Sequence, residues 1–205
     1  MGFADKEYEA AGAEVVDTAD VWRAALVAQF KSPQLSSLSL LGKDSTVAAM
    51  MHAEGKRELV EHLVDRKARA IAFEYLTKDG NTFPLMRPTG EISGRQAVTF
   101  ASYFLQRPPN GRGKLFAGLG GSPGCSVLII GLGTVGRAAG NTASALGAVV
   151  RVAHWDRRSG CECGFTCMWV HDKDFATTAI ASDVIVGALR ISTFDTPPLV
   201  TEQRV

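Results

Sequence analysis

Short apolar clusters punctuate the chain, and their spacing alternates between the three-to-four-residue period of a helix and the unbroken run of a buried strand. Residues 5–11 predict a short helix with Tyr8 and Ala11 on one face, and Glu14-Val15-Val16 a short strand. Asp17 or Thr18 can cap a helix over residues 19–24. The apolar run 25–30 predicts a strand that ends in the turn Lys31-Ser32-Pro33, and a second run, 46–51, ends at His52. Leu59, Val60, Leu63 and Val64 recur at helical spacing, and residues 70–73 predict a strand ending at Glu74. No tight hairpin signal separates these runs, which points to crossover connections and parallel sheets.

Pro88-Thr89 precedes the longest helical pattern, residues 91–106, with Thr89 as a plausible N-cap and Pro108-Pro109 as a stop. The glycine-rich stretch 111–124 encloses Leu115-Phe116-Ala117 and is expected to be an ordered loop. A second α/β unit follows: a buried-type strand at Ser126–Ile130, a small-residue helix over 137–146 and a strand over 149–153. The expected fold class is α/β, with two Rossmann-like domains at 1–88 and 89–205.

Composition narrows the function classes. Of 205 residues 46% are hydrophobic and 21% charged, which excludes disorder. A net charge of +1 is too small to gather phosphate backbones or anionic lipid, so no nucleic-acid or membrane partner is expected. The first residues carry no apolar signal core, and the cytoplasm is the expected compartment. There the four cysteines, at 125, 161, 163 and 167, would remain free thiols; a zinc site using Cys161, Cys163, Cys167 and His171 lacks the usual spacing, and no metal is expected.

The strongest chemical signal is Gly131-Leu132-Gly133-Thr134-Val135-Gly136, which directly follows the strand and opens the helix. In such a turn Gly131 permits the sharp bend, Gly133 lets a pyrophosphate approach the backbone, and Gly136 lets helix and strand pack closely. Thr134 and Val135 present their N–H groups at the helix N-terminus. Asp156, 20 residues after Gly136, can accept from a ribose hydroxyl, whereas Arg157 and Arg158 suit a 2′-phosphate, and the three could equally form a solvated turn.

Gly12-Ala13-Glu14-Val15-Val16, Lys31-Ser32-Pro33, His52, Ala70-Ile71-Ala72-Phe73-Glu74, residues 84–95, Asn110-Gly111-Arg112-Gly113 and the glycine turn occur in the order of a known family. Together they make the chain resemble alanine dehydrogenase and the N-terminal part of nicotinamide nucleotide transhydrogenase, more closely the former. The resemblance implies two domains with the active site in their cleft, a homo-oligomer, and conversion of L-alanine, NAD and water to pyruvate, ammonia and NADH. It implies that Lys31 binds the carboxylate of the amino-acid or 2-oxo-acid substrate and that His52 is the acid/base. An ammonium suits a carboxylate, and an imidazole titrates near neutrality. Without the resemblance, Lys31 reads as a strand end in solvent and His52 as a residue at a domain edge.

The chain departs from the family pattern at several points. Ser32 stands where the family has glutamate and Gly90 where a serine is common; with no gap in the helix the family's ribose-binding aspartate falls on His154, so either Asp156 substitutes for it or the cofactor preference has moved. NAD is expected, with NADP less favoured. The family pattern also extends beyond both ends of this sequence, so a fragment or shortened form with little activity is expected. A nucleotide-binding remnant without catalysis and an amino-acid or imine oxidoreductase of altered specificity are the alternative readings.

Overall fold

The computed structural model describes residues 2–107, 109, 111–155, 164–189 and 198–201. The chain divides into two units, Met1–Leu85 and Met86–Val205. Each holds a wholly parallel sheet, giving the α/β, Rossmann-like architecture.

In the first unit, helices α1 (Asp5–Ala10) and α2 (Thr18–Trp22) precede strand β1 (Leu26–Ala28). Helix α3 (Leu35–Leu38) leads to β2 (Thr46–Ala49), and α4 (Arg57–Asp65) to β3 (Arg69–Ala72) and a 3-10 turn at Phe73–Tyr75. The strands lie in the order β1-β2-β3, with Val27 opposite Val47 and Ala49 opposite Ala72. Trp22, Val27, Leu38, Leu41, Val47, Leu59 and Leu63 form the core, to which the 59/63 spacing of α4 brings its apolar face. The strand expected at 14–16 is irregular coil, and Val15 and Val16 are exposed. Among the described residues no strand pairs with it, and an unpaired strand is not stable in water.

In the second unit, α5 (Met86–Gln106) is followed by β4 (Ser126–Ile130), α6 (Thr134–Ala145), β5 (Val149–His154), β6 (Thr166–Trp169), α7 (Phe175–Ala181) and β7 (Val184–Gly187). Helix α5 begins five residues before the expected start, so Thr89 lies inside it and is not its N-cap. Pro88 is accommodated in the first turn, where its missing N–H has no partner to lose. Strand order is β6-β5-β4-β7. Both faces of β4 are covered, which is why its sequence is apolar without alternation. Val127 and Ile129 pack with Val98 of α5 and Ala139 and Ala143 of α6, while Leu128 and Ile130 pack with Phe175 and Ala179 of α7.

Loop 111–124 is ordered through Phe116, which is buried and accepts a 3.0 Å bond from the Cys125 N–H. At the amino ends of β4 and β7, the nearly buried Asp183 carboxylate accepts from Lys114 Nζ at 2.6 Å, from the Ser126 N–H at 2.8 Å and from Ser126 Oγ at 3.0 Å. Burial works to raise the pKa of Asp183, but the bonds from Lys114 and Ser126 outweigh it and hold the carboxyl below the ordinary value. Cys125 is a free, buried thiol, whereas Cys167 is disulfide-bonded, which corrects the expectation that it is a thiol. Cys161 and Cys163 lie outside the described residues. Among the described residues no helix is long and apolar enough to cross a membrane, and none gather as a group of three or more His, Cys, Asp or Glu side chains able to hold a metal ion.

Candidate functional site

The residues singled out above lie at the carboxyl ends of the strands, where an open parallel sheet presents its loops to ligands. In the first unit, three such loops are tied to one another through the main chain. After β1, the Gln29 side chain donates to the Lys31 carbonyl at 2.7 Å, and the exposed Lys31 ammonium lies 5.4 Å from the Phe30 ring centroid. Ser32 Oγ donates to the Met51 carbonyl after β2 at 2.8 Å, and Lys56 Nζ donates to Ser32 Oγ at 3.1 Å. The loops bearing Lys31 and His52 are thus joined directly. His52 is exposed and has a left-handed backbone, φ 47°.

Glu74, at 6% exposure the most buried carboxylate at this end of the unit, follows β3 in the 3-10 turn. Its two oxygens accept the N–H groups of Met51 at 3.1 Å and His52 at 2.6 Å. In the sequence Glu74 stands as a strand end and Ser32 as a departure from the family pattern. The available signal for Glu74 was a carboxylate placed directly after a buried-type run, where a charge is costly unless it is bonded.

In the second unit, β4 runs into the glycine turn at the point where the sheet order reverses, with β5 on one side and β7 on the other. Gly131 has φ +97°, and a Cβ there would lie 2.8 Å from the Ala188 carbonyl. Gly136 sits so close to the turn that a Cβ would be 2.0 Å from the Gly131 carbonyl oxygen. Gly133, the N-cap of α6, is the opposite: a Cβ there would meet nothing within 4 Å. Thr134 and Val135 direct their side chains at Gly90 of α5, at 3.1 Å and 3.5 Å from where its Cβ would stand. The helix begins at Thr134, three residues before the expected start, so Gly136 lies within its first turn.

His154 closes β5, 5% exposed, with its ring 5.6 Å from that of Trp169 and with no hydrogen-bond partner for Nε2 among the described residues. Asp156 lies outside the described residues.

Comparison with known proteins bears on both units. Residues 1–93 match the model of the alanine dehydrogenase/PNT N-terminal domain, and residues 97–205 that of the alanine dehydrogenase/PNT C-terminal domain. Alanine dehydrogenase of Bacillus subtilis is 33% identical over 100% of the chain, and that of Methanococcus maripaludis 30% identical over 98%. In each case the chain spans 56% of the relative. A solved L-alanine dehydrogenase superposes with a TM-score of 0.82 at 31% identity, over 99% of this chain and 58% of that one. A transhydrogenase from Sinorhizobium meliloti, at 23% identity, shares the fold with a TM-score of 0.79 over 98% of this chain and 61% of its own.

Proposed function

The chain belongs to the alanine dehydrogenase/PNT family, and from that premise we propose that it is the nucleotide- and substrate-binding part of an NAD(H)-dependent dehydrogenase. The reaction would convert L-alanine, NAD and water to pyruvate, ammonia and NADH. The observation that carries this reading is the glycine turn: sharp at Gly131, closed against the strand at Gly136 and open only at Gly133. A pyrophosphate needs this combination, because it must reach backbone N–H groups at a helix N-terminus. The residues therefore fit a nicotinamide dinucleotide, which when bound supplies the hydride acceptor.

The chain's own groups would do the rest. Lys31 offers an exposed ammonium as a point charge for the substrate carboxylate. His52, on the loop bonded to that of Lys31, would take a proton as water adds to the imine carbon and return it as ammonia leaves. At the tip of β5, an ungapped match to the family puts His154 where a ribose-binding carboxylate would repel a 2′-phosphate, and this supports a second reading in which NADP is accepted as well.

Titration of NADH and NADPH against the chain, followed by nicotinamide fluorescence, separates the two. Tighter NADH binding is expected, and tighter NADPH binding would overturn the NAD assignment. In a form of full family length, His52→Ala should lower pyruvate- and ammonia-dependent NADH oxidation by about 100-fold or more, the usual scale for a proton-transfer group, with NADH affinity unchanged. An equal loss of both would reassign His52 to structure.

A further inference from the structure

Glu74 is a buried carboxylate with no part in the chemistry proposed for Lys31 and His52. Glu74 is 6% exposed, and a carboxylate that far from water is costly unless its lone pairs are filled. Both oxygens are filled by main-chain donors of consecutive residues, the N–H of Met51 and the N–H of His52. The register explains how they meet: Ala49 of β2 lies opposite Ala72 of β3, so the residues that leave the two strands run side by side. The 3-10 turn then places Glu74 beneath the peptide groups at Met51 and His52. On the other side, Ser32 Oγ donates to the Met51 carbonyl, so residue 51 is bonded at both its N–H and its C=O.

This matters because His52 is not a glycine and its φ is 47°. An L-residue is disfavoured there, because its Cβ crowds the following carbonyl oxygen, and the conformation persists only when its surroundings impose it. Two charge-assisted bonds from one rigid carboxylate can impose it. The residue type is also specified: an amide has one accepting oxygen and one NH2, which would face a second N–H donor.

We propose that Glu74 is the positioning residue of this site, its carboxylate selecting the left-handed turn at His52 and so setting the direction in which the imidazole is presented. The functional consequence rests on the reading of His52 as the proton carrier; the turn itself can be tested without it. In the full 205-residue chain, isotope-labelled for NMR, the amide of His52 should exchange slowly with solvent although the residue is exposed, and a strong intraresidue HN–Hα NOE should report its positive φ. Glu74→Gln should speed that exchange by about tenfold or more and weaken that NOE, while the amides of β4 stay protected. Unchanged exchange and an unchanged NOE in Glu74→Gln would overturn the proposal. Fast exchange of the His52 amide in the unmodified chain would overturn it too, and that measurement decides the matter if the variant does not fold. The proton-carrier reading fails separately, through the activity of His52→Ala.

Discussion

One methyl group added at Gly94 should force apart two packed helices of the second unit. Gly94 is buried on α5 against α6, and a Cβ there would stand 2.2 Å from the Val135 carbonyl oxygen, 2.8 Å from Ala138 Cβ and 2.9 Å from the Ala139 nitrogen. Two of these three atoms are helix backbone, so the overlap can be relieved only by parting the two helices by roughly an ångström, which forfeits a quarter to a half of the dispersion energy across their shared face. Overpacking of this kind costs about 1–3 kcal/mol, and relief by whole-helix displacement belongs at the upper end. Against it stands the gain of about 1 kcal/mol for replacing glycine by alanine within a helix. The net expectation for Gly94→Ala is a loss of about 1–2 kcal/mol, or roughly 4–10 °C in the melting of a unit this size. Gly90, one turn earlier on the same face, provides the control. Its Cβ would meet only side-chain atoms, Thr134 Cγ2 at 3.1 Å and Cβ at 3.2 Å, and Val135 Cγ2 at 3.5 Å. Rotation of Thr134 relieves that contact, so the helix-propensity gain should offset it and leave the melting temperature within about 3 °C of the unmodified chain. Thermal unfolding of the two variants by circular dichroism measures the difference. Equal melting temperatures for Gly94→Ala and Gly90→Ala would refute the reasoning, since the two substitutions are chemically identical and differ only in what the methyl group meets.

Two further outcomes follow from buried groups in the second unit. Asp183→Asn leaves an amide oxygen for the Ser126 N–H and hydroxyl but removes the charge that strengthens both bonds and faces Lys114, and should destabilise the unit by about 1–3 kcal/mol in urea unfolding. Because the folded pKa of Asp183 is lowered, its contribution is present above the ordinary value of 3.8 and lost as the pH falls through the folded value; the stability gap between the variant and the unmodified chain should therefore close in acid, and a gap that persists there would show that the charge is irrelevant. The Cys125 thiol, fully buried and with its pKa pushed up first by burial and then by Asp183, should resist alkylation near neutral pH until the unit unfolds. Rapid modification of native protein would contradict its burial.

The parts of this fold that were legible in sequence are those where one element supplies its own pattern. β4 runs over the same residues in sequence and structure because a strand buried on both faces is apolar throughout and is bounded by glycine. The start of α5 was misplaced because Pro88 reads as a boundary, although the first turn of a helix tolerates it. β6 carries no such pattern: Thr166 is exposed and Cys167, Met168 and Trp169 are half-buried at a sheet edge, where neither alternation nor a continuous run develops. Glu74 was illegible for a different reason. Its partners are main-chain N–H groups 22 and 23 residues away, and backbone donors leave no mark in the side-chain sequence.

The central place of β4 has a consequence for biosynthesis. Its partner β5 follows after one helix, but the Ser126–Asp183 contact that begins its pairing with β7 spans 57 residues of chain. At ribosomal rates of about 5–20 residues per second, the β7-facing edge of β4 is made roughly 3–11 s before the strand that covers it. For that interval the nascent chain presents an open row of backbone donors and acceptors beside Leu128 and Ile130, the kind of edge that pairs with other chains. Asp183 emerges just ahead of β7 with the carboxylate that bonds Ser126, so its capture would set the register of β7 against β4 and close that edge.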